Sequence, residues 1–230
     1  MDNLTHTLTA IAISQTGLNR KTRFATVTLI LAGNAPDIDI LSSLKGSIAY
    51  LKYHRGITHS FVGIIALALL IWGLMWWLGR KFKPKPGLPL NSRWLLLAAL
   101  LGTGSHLLLD FTNAYGVRPF LPFSGRWYAW DIMFIVDPIL LTILIVGLGV
   151  PWLLRLASEE VGGRKTGLVP GAIFCLGATM ALWGIRDFAH RRAMSILGSR
   201  TYSGEAPHRF SALPTMVNPF RWTGVIETAT

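Results

Sequence analysis

Apolar residues gather into four long runs, 60–79, 94–112, 134–154 and 168–185, and most charged residues fall between them. The first and third hold about 20 apolar residues, enough as helices to cross a hydrocarbon core of ~30 Å. The second carries His106 and Asp110 near its end, which a plain membrane anchor would not. Two shorter apolar segments lie upstream, 4–17 and 23–34. At about 1.5 Å per residue neither crosses a bilayer alone. They read as a helical hairpin joined by "GLNRKTR", partly embedded or packed on the other helices. "RKFKPKPGLPLNSR" (80–93) is a loop, because its prolines cannot sustain a helix. "SEEVGGRKTG" (158–167) is another. The expected fold class is all-α, a polytopic helical membrane bundle of four clear transmembrane helices plus the short N-terminal hairpin. Residues 1–190 are expected to form the membrane-embedded domain and 191–230 an extramembrane C-terminal segment.

Composition agrees with the pattern. Only 14% of the 230 residues are charged and mean hydropathy is +0.45, where a soluble domain carries roughly a quarter charged. The net charge of +11 then needs no nucleic acid, since basic residues of membrane proteins collect on cytoplasmic loops. Arg20, Lys21 and Arg23, five basic residues in 80–93, and Arg155, Arg164 and Lys165 make eleven on one side. Lys45, Lys52, Arg55, Arg118 and Arg126 make five on the other. The positive-inside rule puts the first set in the cytoplasm. The single cysteine, Cys175, excludes an intrachain disulfide. "MDNLTHTL" lacks a basic n-region, so a cleavable signal peptide is not expected.

On this topology the unusual residues all fall at the outer helix ends: His6, Asp37 and Asp39 ("NAPDID"), His54 and His59 ("HRGITHS"), His106 and Asp110 ("HLLLD"), and Asp131 and Asp137. A bundle that brings those ends together gathers four histidines and up to five carboxylates. Imidazole and carboxylate without thiolate suit Zn, Mn or Fe. His106 and Asp110, four apart, share one helix face. Pro36 is expected to end its helix and free both aspartates to turn to one centre. His54 and His59 lie about 140° apart on an ideal helix. A break at Gly56 and a cap at Thr58 would let both converge. So many ligands suggest two or three ions, which at about 3.5–4 Å spacing can activate a water and stabilise a phosphate leaving oxygen. Arg55 and Asp131 are the candidate catalytic residues. Arg55 offers forked donors to a phosphate oxygen or a lipid headgroup, and Asp131 is either a helix cap or a ligand. Asp137 before Pro138 reads as an N-cap. Arg186 and Asp187 read as an interfacial pair, His190 and His208 as surface residues, and "GTGS" (102–105) as a close helix contact.

The motifs "LTH", "NAPDID", "HRGITHS" and "HLLLDFTNAYGVRPFLPFSGRWYAWD", in order over residues 1–190, resemble the DUF457-type group of bacterial inner-membrane, metal-dependent hydrolases. That group is similar to zinc-dependent phospholipase C. The resemblance implies a helical protein with metal ligands His6, Asp37, His54, His59, His106 and Asp110, with Asp39 beside them. It implies hydrolysis of a phosphoester or lipid-linked substrate at the outer face of the inner membrane, with membrane lipids as partners and no nucleic acid or protein partner. "LPTMVNPFRWTGVIET" (213–228) is similar to the start of an extramembrane region that is then cut short. The alternative is a non-enzymatic metal-binding or ion-transport membrane protein. Transport favours polar groups near mid-membrane, whereas these lie at one end. An intramembrane metalloprotease lacks its H-E-x-x-H.

Overall fold

A computed structural model describes residues 1–82, 87–161, 167–202 and 204–228. The expected loops 80–93 and 158–167 therefore lie partly outside the described residues. Seven α-helices are present among those described: α1 (Asn3–Gln15), α2 (Ala25–Asn34), α3 (Ser47–Tyr53), α4 (Phe61–Lys81), α5 (Ser92–Thr112), α6 (Pro138–Glu160) and α7 (Val169–Gly198). Polar caps start four of them. Asp2, Ser60, Asn91 and Asp137 accept from backbone amides in the first turns of α1, α4, α5 and α6, satisfying donors that lack intrahelical partners.

Five helical stretches are long and apolar enough to cross a membrane by length and composition: Ala25–Lys45, Phe61–Lys81, Ser92–Thr112, Pro138–Glu160 and Val169–Gly198. The last four match the four expected runs. The first adds the 3-10 helix Ala35–Lys45 to α2; the α-helices Asn3–Gln15 and Ala25–Asn34 are as short as the expected hairpin, and the second ends just before Pro36, as expected. The chain continues as a 3-10 helix, Ala35–Lys45, with Pro36 in its first turn. Proline fits there because a first-turn amide has no helical acceptor to lose. The outer faces stay apolar and exposed, as at Leu70, Trp77, Leu153, Ile173 and Met180, which suits lipid as the surrounding medium.

Three apolar clusters hold the bundle together. One joins α1, α5, α6 and α7 through Ala12, Leu109, Leu140, Leu144 and Leu182, with Ile132 and Met133 of the connecting segment. Another joins α2, α4 and α5 through Ala32, Ala68, Ile71 and Leu95. The third joins α1, α2 and α5 through Ala10, Leu29 and Ala98. Where α2 and α5 touch, a Cβ on Gly102 would lie 2.6 Å from Ala32 Cβ and 2.8 Å from the Leu29 carbonyl oxygen. The expected "GTGS" contact is thus made by Gly102, while Gly104 faces open space. Gly102→Ala is expected to lower stability by about 1–3 kcal/mol through overpacking. Gly104→Ala should be neutral or slightly stabilising, and denaturant titration in detergent compares the two.

The segment after α7 forms an antiparallel hairpin, β1 (Arg209–Pro214) with β2 (Trp222–Glu227), register Arg209↔Glu227 to Pro214↔Trp222. It packs on the end of α7, where Phe210 lies against Gly198 and Leu197 against Gly224. The all-α reading did not anticipate these two strands.

Candidate metal centre

Four ligand atoms, one each from Asp37, His59, His106 and Asp110, lie within 4.8 Å of one another. They come from the 3-10 helix after α2, the short 3-10 turn Ile57–His59 before α4, and the last turns of α5. His59, His106 and Asp110 are buried, and Asp37 is partly exposed. The i, i+4 spacing on α5 does what it promised, placing His106 Nε2 3.7 Å from Asp110 Oδ2.

Ring tautomers follow from the partners. His106 Nδ1 lies 2.8 Å from the Gly33 carbonyl oxygen, which can only accept, so Nδ1 carries the proton. His59 Nδ1 lies 3.1 Å from Asp39 Oδ2 and 3.1 Å from Thr58 Oγ1. The Thr58 hydroxyl donates to that same carboxylate at 2.9 Å, so His59 Nδ1 is also the protonated nitrogen. Both Nε2 atoms then present lone pairs, and they face each other at 3.0 Å. Two imidazole lone pairs held that way repel unless a proton or a metal ion is shared between them. Both rings also keep the outer contact that fixes a metal-binding histidine, to a carboxylate in one and a carbonyl in the other.

Three further edges fall in the range of a shared ion. His59 Nε2 is 3.5 Å from Asp37 Oδ1 and 3.3 Å from Asp110 Oδ2, and His106 Nε2 is 3.5 Å from Asp37 Oδ1. Ligand bonds of about 2.0–2.2 Å at tetrahedral angles put donor atoms roughly 3.3–3.6 Å apart. The donor set fits a divalent ion.

The other expected ligands stand around these four. His6 is buried and stacks on His106, ring centroids 3.8 Å apart, with its Nε2 3.4 Å from Asp110 Oδ1 and neither ring nitrogen hydrogen-bonded. Asp39 lies one layer out. It accepts from the Arg55 amide (2.8 Å) and Thr58 (2.9 Å), and it also holds His54 Nδ1 (2.9 Å) and His59 Nδ1. His54 stacks on Tyr50 at 4.5 Å and points its Nδ1 at Asp39, so it too stands outside the four. Against the expected two or three ions, one converging set of four donors is found among the described residues; Asp39 accepts from the Arg55 amide and Thr58 and faces His54 and His59, and His54 turns Nδ1 to Asp39.

Gly56 does break the chain between His54 and His59. A Cβ there would lie 2.6 Å from the Tyr53 carbonyl oxygen, and Arg55 before it takes a left-handed φ of 52°. Thr58 is not the cap expected of it. Ser60 caps α4, and Thr58 serves Asp39 instead.

Arg55 is buried beside the four. Its Nε lies 3.1 Å from Asp110 Oδ2, and its Nη1 donates to Asn113 Oδ1 (2.9 Å) and the Gly116 carbonyl (3.0 Å). The guanidinium sits over the Tyr115 ring at 4.8 Å. Burial lowers its pKa to about 10 against the opposing pull of Asp37, Tyr115, Tyr50 and Asp39, so it stays charged at neutral pH. Beyond its ion-pair contact with Asp110, Nε has no hydrogen-bond partner among the described residues. The Met1 amino group also contacts Asp110.

Asp131 does not join the centre. It has a left-handed φ of 57°, and burial raises its carboxyl pKa, with neighbouring His190 pulling the other way. The backbone on both sides of it explains this. Trp130 N and Ile132 N bond the Phe111 and Thr112 carbonyls at the end of α5. Asp137 caps α6 as expected and pairs with fully buried Arg186, Nη2 to Oδ2 2.6 Å. That overturns the expected Arg186–Asp187 pair, since Asp187 instead accepts from Trp130 Nε1 and Arg191. His190 is half-buried against Trp222, whereas His208 is exposed. Asn113, the Gly33 carbonyl and Tyr115 were missed in the sequence, where no spacing singles them out.

A family model described as YdjM inner membrane protein matches residues 1–189. The protein YfhP of Bacillus subtilis (strain 168), itself described as uncharacterized, is 32% identical over 146 residues, 60% of this chain. The matched stretch spans 42% of that protein. No solved structure matches the chain.

Proposed function

The chain belongs to the YdjM inner membrane protein family, and on that premise we propose that it is a metal-dependent hydrolase of the DUF457-type kind. Its substrate is a phosphoester, free or lipid-linked, taken at the extracytoplasmic face of the membrane. The observation that carries the reading is the pair of imidazole lone pairs facing each other at 3.0 Å beside two carboxylates. Asp37, His59, His106 and Asp110 would hold the ion, with His6 alongside. A bound zinc, or manganese or iron, supplies Lewis acidity and lowers the pKa of a water. Asp39 and the Gly33 carbonyl orient the two rings. Arg55, held by Asn113 and Gly116 and paired with Asp110, would offer its forked guanidinium to a phosphate oxygen as charge develops. The extracytoplasmic side is favoured because the basic turns lie at the opposite ends of the helices.

One observation supports a second reading. Four converging protein donors can make a closed set, as structural metal sites do, so a non-enzymatic metal-binding protein is the rival. Hydrolysis of bis(p-nitrophenyl) phosphate and of p-nitrophenyl phosphate by the detergent-purified protein separates them. Turnover should vanish on chelation, return with a divalent ion, and fall about 100-fold in Arg55→Gln with the metal retained. Bound metal without turnover on either ester would leave the rival reading standing.

A further inference from the structure

Beside the four metal-site residues a groove of about 720 Å³ opens between the 3-10 helix Ala35–Lys45, α3 and the turn that follows Arg118. Lys45, Lys52 and Arg118 line it. Asp39 is the one carboxylate among its lining residues, and four donors already occupy it. The groove therefore holds positive charge that its own walls do not neutralise. Arg118 is fixed in place. Its Nη2 donates to the Lys52 carbonyl at 3.0 Å, capping the end of α3, and its guanidinium lies over Trp127 at 4.7 Å. Leu41, Ile57 and Leu121 supply the apolar wall.

The rim shows what fills the groove. Leu44 and Ile48 are each 85% exposed, Leu51 is 64% exposed and Phe123 is 87% exposed. Ile48 and Leu51, three apart, share one face of α3, and Leu44 lies near the end of the 3-10 helix on the other side of Gly46, whose φ of 99° breaks the helix between them. Bare apolar side chains beside cations are the signature of a segment lying in the headgroup layer, apolar side toward the acyl chains. A ligand presented there carries both a headgroup and a chain. A zwitterionic headgroup would bring its ammonium against three cations, whereas a net-negative one would not.

We infer that this groove binds the headgroup of a net-anionic phospholipid in preference to a zwitterionic one, and so names the substrate class of the adjoining centre. The link to substrate rests on the hydrolase reading above. The groove's lipid preference does not.

Native mass spectrometry of the detergent-purified full chain, with phosphatidylglycerol and phosphatidylcholine at equal concentration, tests it. The protein should retain phosphatidylglycerol about tenfold or more over phosphatidylcholine, and the double variant Lys45→Gln/Lys52→Gln should hold the two about equally. Lys45→Arg/Lys52→Arg should keep the preference. Glycerol 1-phosphate should not displace the lipid. Equal retention by the wild type, an unchanged preference in the glutamine variant, or displacement by glycerol 1-phosphate would overturn the inference. The wild-type comparison decides it even if the variant misfolds. The same preference is expected after chelation, so a protein that selects the anionic lipid but binds no metal would refute the hydrolase reading alone.

Discussion

His106→Ala is expected to cost the purified protein more than 90% of its bound metal. His106 supplies one of four converging donors, and its Nδ1 bond to the Gly33 carbonyl fixes the ring so that Nε2 faces His59 at 3.0 Å. Alanine removes both the donor and the anchor. Even loss of an outer partner of a metal-binding histidine costs about 10–100-fold in affinity, so loss of a ligand should exceed that. Elemental analysis reads the result. Two further variants locate the effect. Asp39→Asn should weaken metal binding by about 10–100-fold, since it holds His59 Nδ1 from one layer out. His208→Ala, exposed beyond the last helix, should change nothing. Equal metal in wild type and His106→Ala would mean the ion sits elsewhere.

Arg186→Met is expected to be the most destabilising change outside the centre. Arg186 is fully buried, with Nη2 on Asp137 Oδ2 at 2.6 Å, and Asp137 also caps α6. Removing one partner of a buried ion pair leaves the other charged, desolvated and unpaired, at about 3–5 kcal/mol. Asp137→Asn keeps a side-chain oxygen for the cap and removes the orphaned charge. The double variant should therefore recover most of the loss, because replacing both charges of a buried pair is often near neutral. Unfolding in mixed micelles compares the three. A single variant as stable as the wild type would show that the pair carries no net charge cost.

Much of this was legible in the sequence, for identifiable reasons. Long apolar runs place α4 to α7 within a few residues at most ends, because a membrane rewards uninterrupted hydrophobicity. The i, i+4 pair His106/Asp110 and the Gly56 break also read directly, each being a local consequence of backbone geometry. What failed depended on tertiary contacts. Pro36 does end α2, yet the 3-10 helix that follows, with proline in its first turn, had no cue of its own. Asp39 and His54 looked like ligands because spacing cannot tell a carboxylate facing an ion from one facing the far nitrogen of a ligand. Asp131 followed the same compositional cue, but the bonds of Trp130 and Ile132 to the end of α5 set its place instead. Arg186 found Asp137 rather than its neighbour Asp187 because residues adjacent on a helix do not face each other.

The most direct measurement is X-ray absorption on protein purified without chelator, with the metal quantified in the same sample. The expected result is about one divalent ion per chain, held by nitrogen and oxygen alone, with outer-shell scattering from two imidazoles. An ion surrounded only by water-like oxygens, a sulfur ligand, or protein that carries no metal would contradict a centre built from Asp37, His59, His106 and Asp110.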